Sequence, residues 1–153
     1  MIYKEASSLI GLSLGHTTTN SNGQSSIDCG SLWKKFMEEN TLVRIPRKIN
    51  NDLFSMYHAY EGDHTKPYSF FIGCRVTPGT PVPEGMASLE IPACQFEKIV
   101  AKGKLPDCVA NAWRNIWEGS MQRAYIVDYE IYDQRSLDWN NAEVDIFISV
   151  PNP

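Results

Sequence analysis

One acidic residue, Glu130, could do chemistry because aromatic and apolar residues surround it in the sequence. The segment Arg123–Asp133 reads Arg-Ala-Tyr-Ile-Val-Asp-Tyr-Glu-Ile-Tyr-Asp. A carboxylate among aromatic rings can attract a cationic, partly apolar molecule, since ring faces also attract positive charge. A carboxylate whose pKa is tuned toward neutrality by burial can instead serve as a general base toward water. A solvated position on a strand is the third interpretation of Glu130.

The same segment predicts a β-strand, since its side chains alternate with a period of two. The side predicted to cover the core is apolar: Tyr125, Val127, Tyr129 and Ile131. The other side holds Ala124, Ile126, Asp128, Glu130 and Tyr132. The final strand, Glu143–Val150, alternates in the same way, with Phe147 alone among the residues of its polar side. A hairpin of the two strands is expected to place Phe147 near Glu130 on one face.

Other motifs that could carry chemistry are weak. Gly11-Leu12-Ser13-Leu14-Gly15 matches the nucleophile elbow of serine hydrolases in form, but a polar loop follows it where the elbow needs a helix. The three histidines and four cysteines show no metal-ligand spacing. We therefore expect no metal and no cofactor, and we assign no catalytic residue.

Length and composition set the class of protein. A chain of 153 residues with 42% hydrophobic and 21% charged residues fits one globular domain, residues 1–153. A net charge of −4 argues against direct nucleic-acid binding, which needs a concentrated positive field. No apolar run approaches a membrane span, and no secretory signal begins the chain, so we expect a cytoplasmic protein with reduced thiols and no membrane partner.

The predicted elements occur twice in the same order. Strand, helix, strand and strand follow one another over about 1–76 and again over about 93–150, and the helices echo each other as Trp33-x-x-Phe36-Met37 and Trp113-x-x-Ile116-Trp117. We therefore predict an α+β fold, with one antiparallel sheet, two main helices on one face and a pocket between the halves. Trp33 and Trp113 are expected either to approach that junction or to share a core role.

Seven short motifs, in order along nearly the whole chain, carry a family resemblance. They are Leu32-Trp33-x-x-Phe36-Met37, Ile45-Pro46-x-x-Ile49-Asn50, Tyr57-x-x-Tyr60-Glu61, Tyr68-x-x-x-Ile72-Gly73-Cys74-x-Val76, Pro83-x-Gly85-Met86, Trp113-x-x-Ile116-Trp117 and Tyr129-Glu130-x-Tyr132-Asp133. Together they resemble the GyrI-like effector-binding domains. These form the sensor half of multidrug-responsive transcription regulators of the AraC and MerR types. They also occur alone, including in mobile gene cassettes, and this chain resembles such a stand-alone member.

The resemblance implies a duplicated fold with a pocket between its halves, where an acidic residue ringed by aromatic side chains meets lipophilic cations. The Tyr-Glu-x-Tyr motif carries the acidic role onto Glu130, and the aromatic wall is carried onto Trp33, Tyr60, Trp113 and Phe147. The chain has no room for a helix-turn-helix, so a partner regulator or a homodimer, rather than direct DNA binding, is the expected context.

Two functions of different classes follow. The first is a sensor or sequestering module for lipophilic, cationic small molecules. The second is a small-molecule hydrolase with Glu130 as general base, since some members of the family hydrolyse small electrophilic toxins using an aromatic residue and a Glu. Binding is favoured, because an acidic apolar pocket is a complete binding site but only part of a catalytic one. An adaptor that meets a partner protein through an exposed sheet edge is a third interpretation.

Overall fold

The computed structural model describes all residues, 1–153, as eight strands and three helices. The strands are β1 (Ile2–Lys4), β2 (Ser7–Ser13), β3 (Leu53–His58), β4 (Ser69–Val76), β5 (Ala87–Ile91), β6 (Cys94–Gly103), β7 (Val127–Tyr132) and β8 (Ala142–Val150). The helices are α1 (Gln24–Glu38), the short α2 (Thr41–Arg44) and α3 (Asp107–Glu118).

The predicted duplication is confirmed in the sheet. All eight strands form one antiparallel sheet in the order β1-β6-β8-β7-β3-β4-β2-β5. The units β2-α1-β3-β4 and β6-α3-β7-β8 are arranged alike, with the last strand of each unit between the other two. The two units meet at the β7–β3 pair, so the middle of the sheet is the junction of the halves.

The sheet curls until its two ends approach each other. The two-residue link 5–6 joins β1 to β2, and the link 92–93 joins β5 to β6, although the strands in each case lie at opposite ends of the sheet. Links this short span only about 10 Å, so a flat sheet is excluded. Each edge strand thereby completes the sheet of the other half: β1 pairs with β6, and β5 pairs with β2.

Both long helices pack on one face of the sheet, as predicted. Leu32 and Phe36 of α1 belong to a buried cluster with residues of β2 and β4, and Val109, Trp113 and Ile116 of α3 belong to a second cluster with residues of β6 and β8. A third cluster lies on the helix-free face, where large apolar side chains meet across the curl: Leu9, Phe54, Met56, Phe71, Phe96, Tyr129 and Phe147.

Local details differ from the sequence-based expectations. The strand predicted over Arg123–Asp133 begins only at Val127, because Tyr125 has a left-handed backbone with φ of 54° and interrupts the extended chain. The elbow-like motif is no elbow: Gly11 lies inside β2, pairs with Gly73, and leaves no space for a side chain beside the Ile72 carbonyl. No helix is both long enough and apolar enough to cross a lipid bilayer.

The exchanged edge strands lead to a prediction about cooperativity. Fragments 1–77 and 86–153 should each lack a cooperative urea transition, because each has lost the edge strand that completes its sheet and a single half buries too little apolar surface. The intact chain should unfold in one transition by both far-ultraviolet circular dichroism and tryptophan fluorescence. A fragment that unfolds cooperatively on its own would show that the halves are independent domains.

Candidate functional site

A cavity of about 440 Å³ lies between α1 and α3, above the junction of the halves. Helix α1 contributes Ser25, Ser26, Cys29 and Trp33. Helix α3 contributes Val109, Ala110, Trp113, Arg114 and Trp117. The two central strands supply the floor: Tyr57, Glu130 and Tyr132. The volume lies within the range of small-molecule sites, roughly 300–1,000 Å³.

Glu130 lies at the floor of this cavity and is only 2% exposed. Its Oε2 accepts hydrogen bonds from Trp113 Nε1 at 2.6 Å and from the Tyr57 hydroxyl at 2.7 Å. Its Oε1 accepts a hydrogen bond from the Tyr132 hydroxyl at 2.6 Å. The three donors come from α3, β3 and β7, so both halves of the fold hold the carboxylate in place.

Burial dominates the ionisation of Glu130. Removal from water raises the pKa of Glu130, and the hydrogen bonds from Tyr132, Tyr57 and Trp113 oppose that rise without cancelling it. Ser55, directly opposite Glu130 in β3, makes no hydrogen bond of good geometry and contributes least to the opposition. No Lys, Arg or His side chain lies within ion-pair distance of Glu130. The cavity therefore holds a carboxylate with several donors but no cationic partner.

The second buried acid near the cavity is already neutralised. Asp128 is fully buried, and its Oδ2 accepts from Arg123 Nη2 at 2.6 Å and from the Tyr60 hydroxyl at 2.5 Å. Its Oδ1 accepts from the backbone N–H of Ser149 at 2.9 Å. The Arg123 guanidinium lies 4.3 Å from the ring centroid of Tyr125, which fixes it at the cavity wall. Glu130 is thus the one unpaired acid that lines the cavity.

The walls are flat aromatic surfaces in edge contact with one another. Trp33 meets Tyr132 with ring centroids 5.3 Å apart, and Tyr57 meets Trp113 at 5.2 Å. At the far end His64 lies parallel to Trp117, with centroids 6.1 Å apart. Aromatic side chains from α1, α3, β3 and β7 thus line the cavity that contains Glu130.

The comparisons with known proteins agree with this architecture. The profile described as "Cass2: Integron-associated effector binding protein" matches residues 1–150. The chain belongs to the Cass2 family of integron-associated effector binding proteins. The resemblance to GyrI-like effector-binding domains is thereby confirmed.

Proteins similar to this Cass2-family chain include a transcriptional regulator and two solved structures of the same fold. The transcriptional regulator BrlR of Pseudomonas aeruginosa is 30% identical in a match that covers 79% of this chain and 46% of BrlR. The chain thus spans about half the length of that relative. A Vibrio cholerae integron cassette protein has the same fold, with a TM-score of 0.75, 21% identity and coverage of 98% and 94% of the two chains. SAV2435, solved bound to tetraphenylphosphonium, gives a TM-score of 0.78 at 13% identity, with coverage of 99% and 95%.

Four of the five site residues predicted from the sequence line the cavity of this Cass2-family protein: Trp33, Tyr60, Trp113 and Glu130. Their part in ligand binding stays a prediction. The predicted position of Phe147 near Glu130 is wrong. Phe147 pairs directly with Tyr129 in the β7–β8 register, whereas Glu130 pairs with Ile146, so Phe147 lies on the helix-free face with its ring 5.2 Å from that of Tyr129.

The two phenols that hold the Glu130 carboxylate, those of Tyr57 and Tyr132, were not among the site residues predicted from the sequence. Tyr132 could have been found, because it stands two residues from Glu130 on the same side of a predicted strand. Tyr57 had no comparable signal, since its approach depends on the β3–β7 register. Arg123 was placed in the predicted strand, and its pairing with Asp128 follows from the irregular backbone before β7.

The raised pKa of Glu130 predicts a pH dependence for the stability of the ligand-free protein. In the unfolded chain this carboxyl ionises near its ordinary value, so between that value and the raised folded pKa the native state binds more protons. The free energy of unfolding should therefore fall as the pH rises through this window and level off above it. In urea titrations across pH 4–8, the free energy of unfolding of wild type should show this fall, whereas that of Glu130→Gln should not. Parallel profiles would show that burial does not raise the pKa of Glu130.

Proposed function

We propose that this effector-binding protein takes up lipophilic cations in the cavity between α1 and α3. The observation that carries the proposal is the Glu130 carboxylate, which is buried, held by three donors and without a cationic partner. Asp128 cannot serve in its place, because Arg123 already neutralises it.

The physical reason is the cost of an isolated buried charge. A buried carboxylate that gives up its hydration is stabilised when a cation enters and supplies the missing charge. The aromatic walls add cation–π attraction of roughly 0.5–2 kcal/mol for each favourable ring. Walls built from Trp33, Trp113 and Trp117 present flat apolar surfaces with few directional groups, so we expect ligands of several shapes. The bound tetraphenylphosphonium of SAV2435 is a cation of this chemical class.

We further propose that ligand binding in the cavity serves transcription regulation in the cytoplasm. BrlR, which is a transcriptional regulator, contains a region related to nearly four-fifths of this chain. The cavity spans both halves of the fold, so a ligand that contacts α1 and α3 together can change how the helices are held. A partner regulator or a second copy of the chain is the proposed recipient of that change.

Hydrolysis is the second candidate, and the observation that favours it is a buried Glu130 of raised pKa beside the Tyr132 hydroxyl. Both carboxylate oxygens already accept hydrogen bonds, which leaves a general base few free lone pairs for water. Binding is therefore the better-supported function. Turnover of a small epoxide by wild type, abolished in Glu130→Gln, would reverse this preference.

Two ions of one shape and opposite charge test the binding proposal. Tetraphenylphosphonium should bind with micromolar-scale affinity and quench the tryptophans that line the cavity. Tetraphenylborate should bind at least about 100-fold more weakly, because it meets Glu130 as a like charge. Equal affinities for the two ions, measured by isothermal titration calorimetry, would show that apolar contact alone governs binding and would contradict the proposed role of charge.

A further inference from the structure

A second cavity, of about 330 Å³, lies on the helix-free face of the sheet. It forms where the link between β1 and β2 crosses that face, and its walls combine two cations with apolar residues: Lys4, Phe54, Arg75, Ile91, Tyr129 and Ile131. Tyr129 and Glu130 are consecutive in β7 and point to opposite faces, so the strand separates this cavity from the first.

Three aromatic rings form a row beneath the two cations. Phe54, Tyr129 and Phe147 follow one another across β3, β7 and β8, with neighbouring centroids 5.2 Å apart in both steps. Lys4 Nζ lies 4.1 Å from the ring centroid of Phe147, and Arg75 Cζ lies 5.9 Å from that of Phe54. The cations thus stand over the two ends of the row, and Tyr129 lies between them.

Neither cation has an anionic partner in the fold. Lys4 and Arg75 form no salt bridge and no side-chain hydrogen bond, and Nε of Arg75 is buried without an acceptor. Burial lowers the pKa of Lys4, repulsion from Arg75 and Lys98 lowers it further, and attraction to the Asp145 carboxylate opposes this fall only weakly. Glu5 and Asp52 also line the cavity, but neither is within ion-pair distance of Lys4 or Arg75.

We propose that this second cavity binds a small planar monoanion, such as an aromatic carboxylate. The carboxylate lies in the combined positive field of Lys4 and Arg75, where it offsets their repulsion. The ring lies over Tyr129, with Ile91 and Ile131 beside it. A single charge is required, because the carboxylates at the cavity edge repel an anion of higher charge.

The site is tested with 2-naphthoate and with 2-naphthamide, which has the same shape and no charge. In protein with labelled isoleucine and valine methyl groups, naphthoate should shift the resonances of Ile91 and Ile131 and leave Val109, in the first cavity, unchanged. Calorimetry should show a loss of affinity of at least about 10-fold in both Lys4→Gln and Arg75→Gln. Lys102→Gln, which removes an equal charge from a side chain that is 72% exposed, should bind as wild type does.

Three results would overturn the inference: shifts centred on Val109, equal binding of naphthamide, or no naphthoate binding at millimolar concentration. The methyl shifts need no variant, so they decide the matter even where a substitution lowers stability. Glu130→Gln should leave naphthoate binding unchanged, because its side chain lies on the other face. The experiments therefore test the two sites independently: anion binding in the second cavity can be contradicted while cation binding in the first is supported, or the other way round.

Discussion

Replacing Glu130 by Gln is expected to weaken tetraphenylphosphonium binding by about 30-fold or more. Loss of the charged partner of a desolvated ion costs about 2–5 kcal/mol, and the lower figure corresponds to a factor of roughly 30. The substitution keeps the size of the side chain, and its amide oxygen can still accept from Trp113 Nε1. The Tyr57 hydroxyl can still donate to the same amide oxygen, and the Tyr132 hydroxyl can reverse direction and accept from the amide nitrogen. Calorimetric titration of both proteins measures the difference.

Two comparisons separate the effect of charge from the effect of shape. A neutral ligand of similar shape, such as triphenylphosphine oxide, should lose much less affinity in Glu130→Gln, because its aromatic contacts remain. Glu118→Gln removes an acid from the end of α3 outside the cavity lining and should leave cation binding unchanged. Equal cation affinities of wild type and Glu130→Gln would mean that Glu130 is structural and that its charge does not contribute to cation binding.

The repeated order of helices and strands could be predicted from the sequence, because the apolar residues of each element recur with a helical or a strand spacing. Apolar residues recur every three to four positions around Trp33 and around Trp113, and a helix is present at both places, as expected. The strand alternation around Tyr129 and Glu130 likewise identified opposite faces of β7. These are local properties of the chain, so one sequence is enough to find them.

Register across the sheet could not be read from the same patterns. A shift of one residue in the β7–β8 register decides whether Phe147 lies opposite Glu130 or opposite Tyr129. Nothing in the sequence of the connection, 133–141, fixes this register. The curl of the sheet is also non-local. It follows from edge strands exchanged between the halves, and it creates the second cavity from residues as distant in sequence as Lys4 and Tyr129.

The Arg123–Asp128 pair shows the same limit at short range. The two residues are five apart, and a continuous strand would place them on opposite faces. The left-handed backbone of Tyr125 interrupts the alternation, so the Arg123 guanidinium lies beside the Asp128 carboxylate. A bulky residue rarely adopts this conformation, and no sequence signal marked it. The pair matters for the proposed function, since it leaves Glu130 as the unpaired acid of the cavity.

Replacing Asp128 by Asn should destabilise the protein by about 3–5 kcal/mol, because it leaves the buried Arg123 charge without a partner. The Arg123 side chain is only 4% exposed, and its Nε and Nη1 already lack acceptors, so no other group in the fold compensates. The urea midpoint at pH 7 should fall while the slope of the transition stays the same. Glu38→Gln, which breaks the exposed pair with Lys34 on α1, should change stability by less than about 1 kcal/mol.

A double variant distinguishes loss of charge pairing from loss of packing. Adding Arg123→Met to Asp128→Asn removes the unpaired cation while an unbranched side chain fills part of its space, so much of the lost stability should return. The Ser149 N–H can still donate to the Asn side-chain oxygen, and the Tyr60 hydroxyl can turn to accept from the Asn amide nitrogen. If the double variant is less stable than Asp128→Asn alone, Arg123 stabilises the fold through its stacking on Tyr125 rather than through Asp128. Tetraphenylphosphonium affinity in the double variant should stay within a few-fold of wild type, because Glu130 and its three donors are untouched.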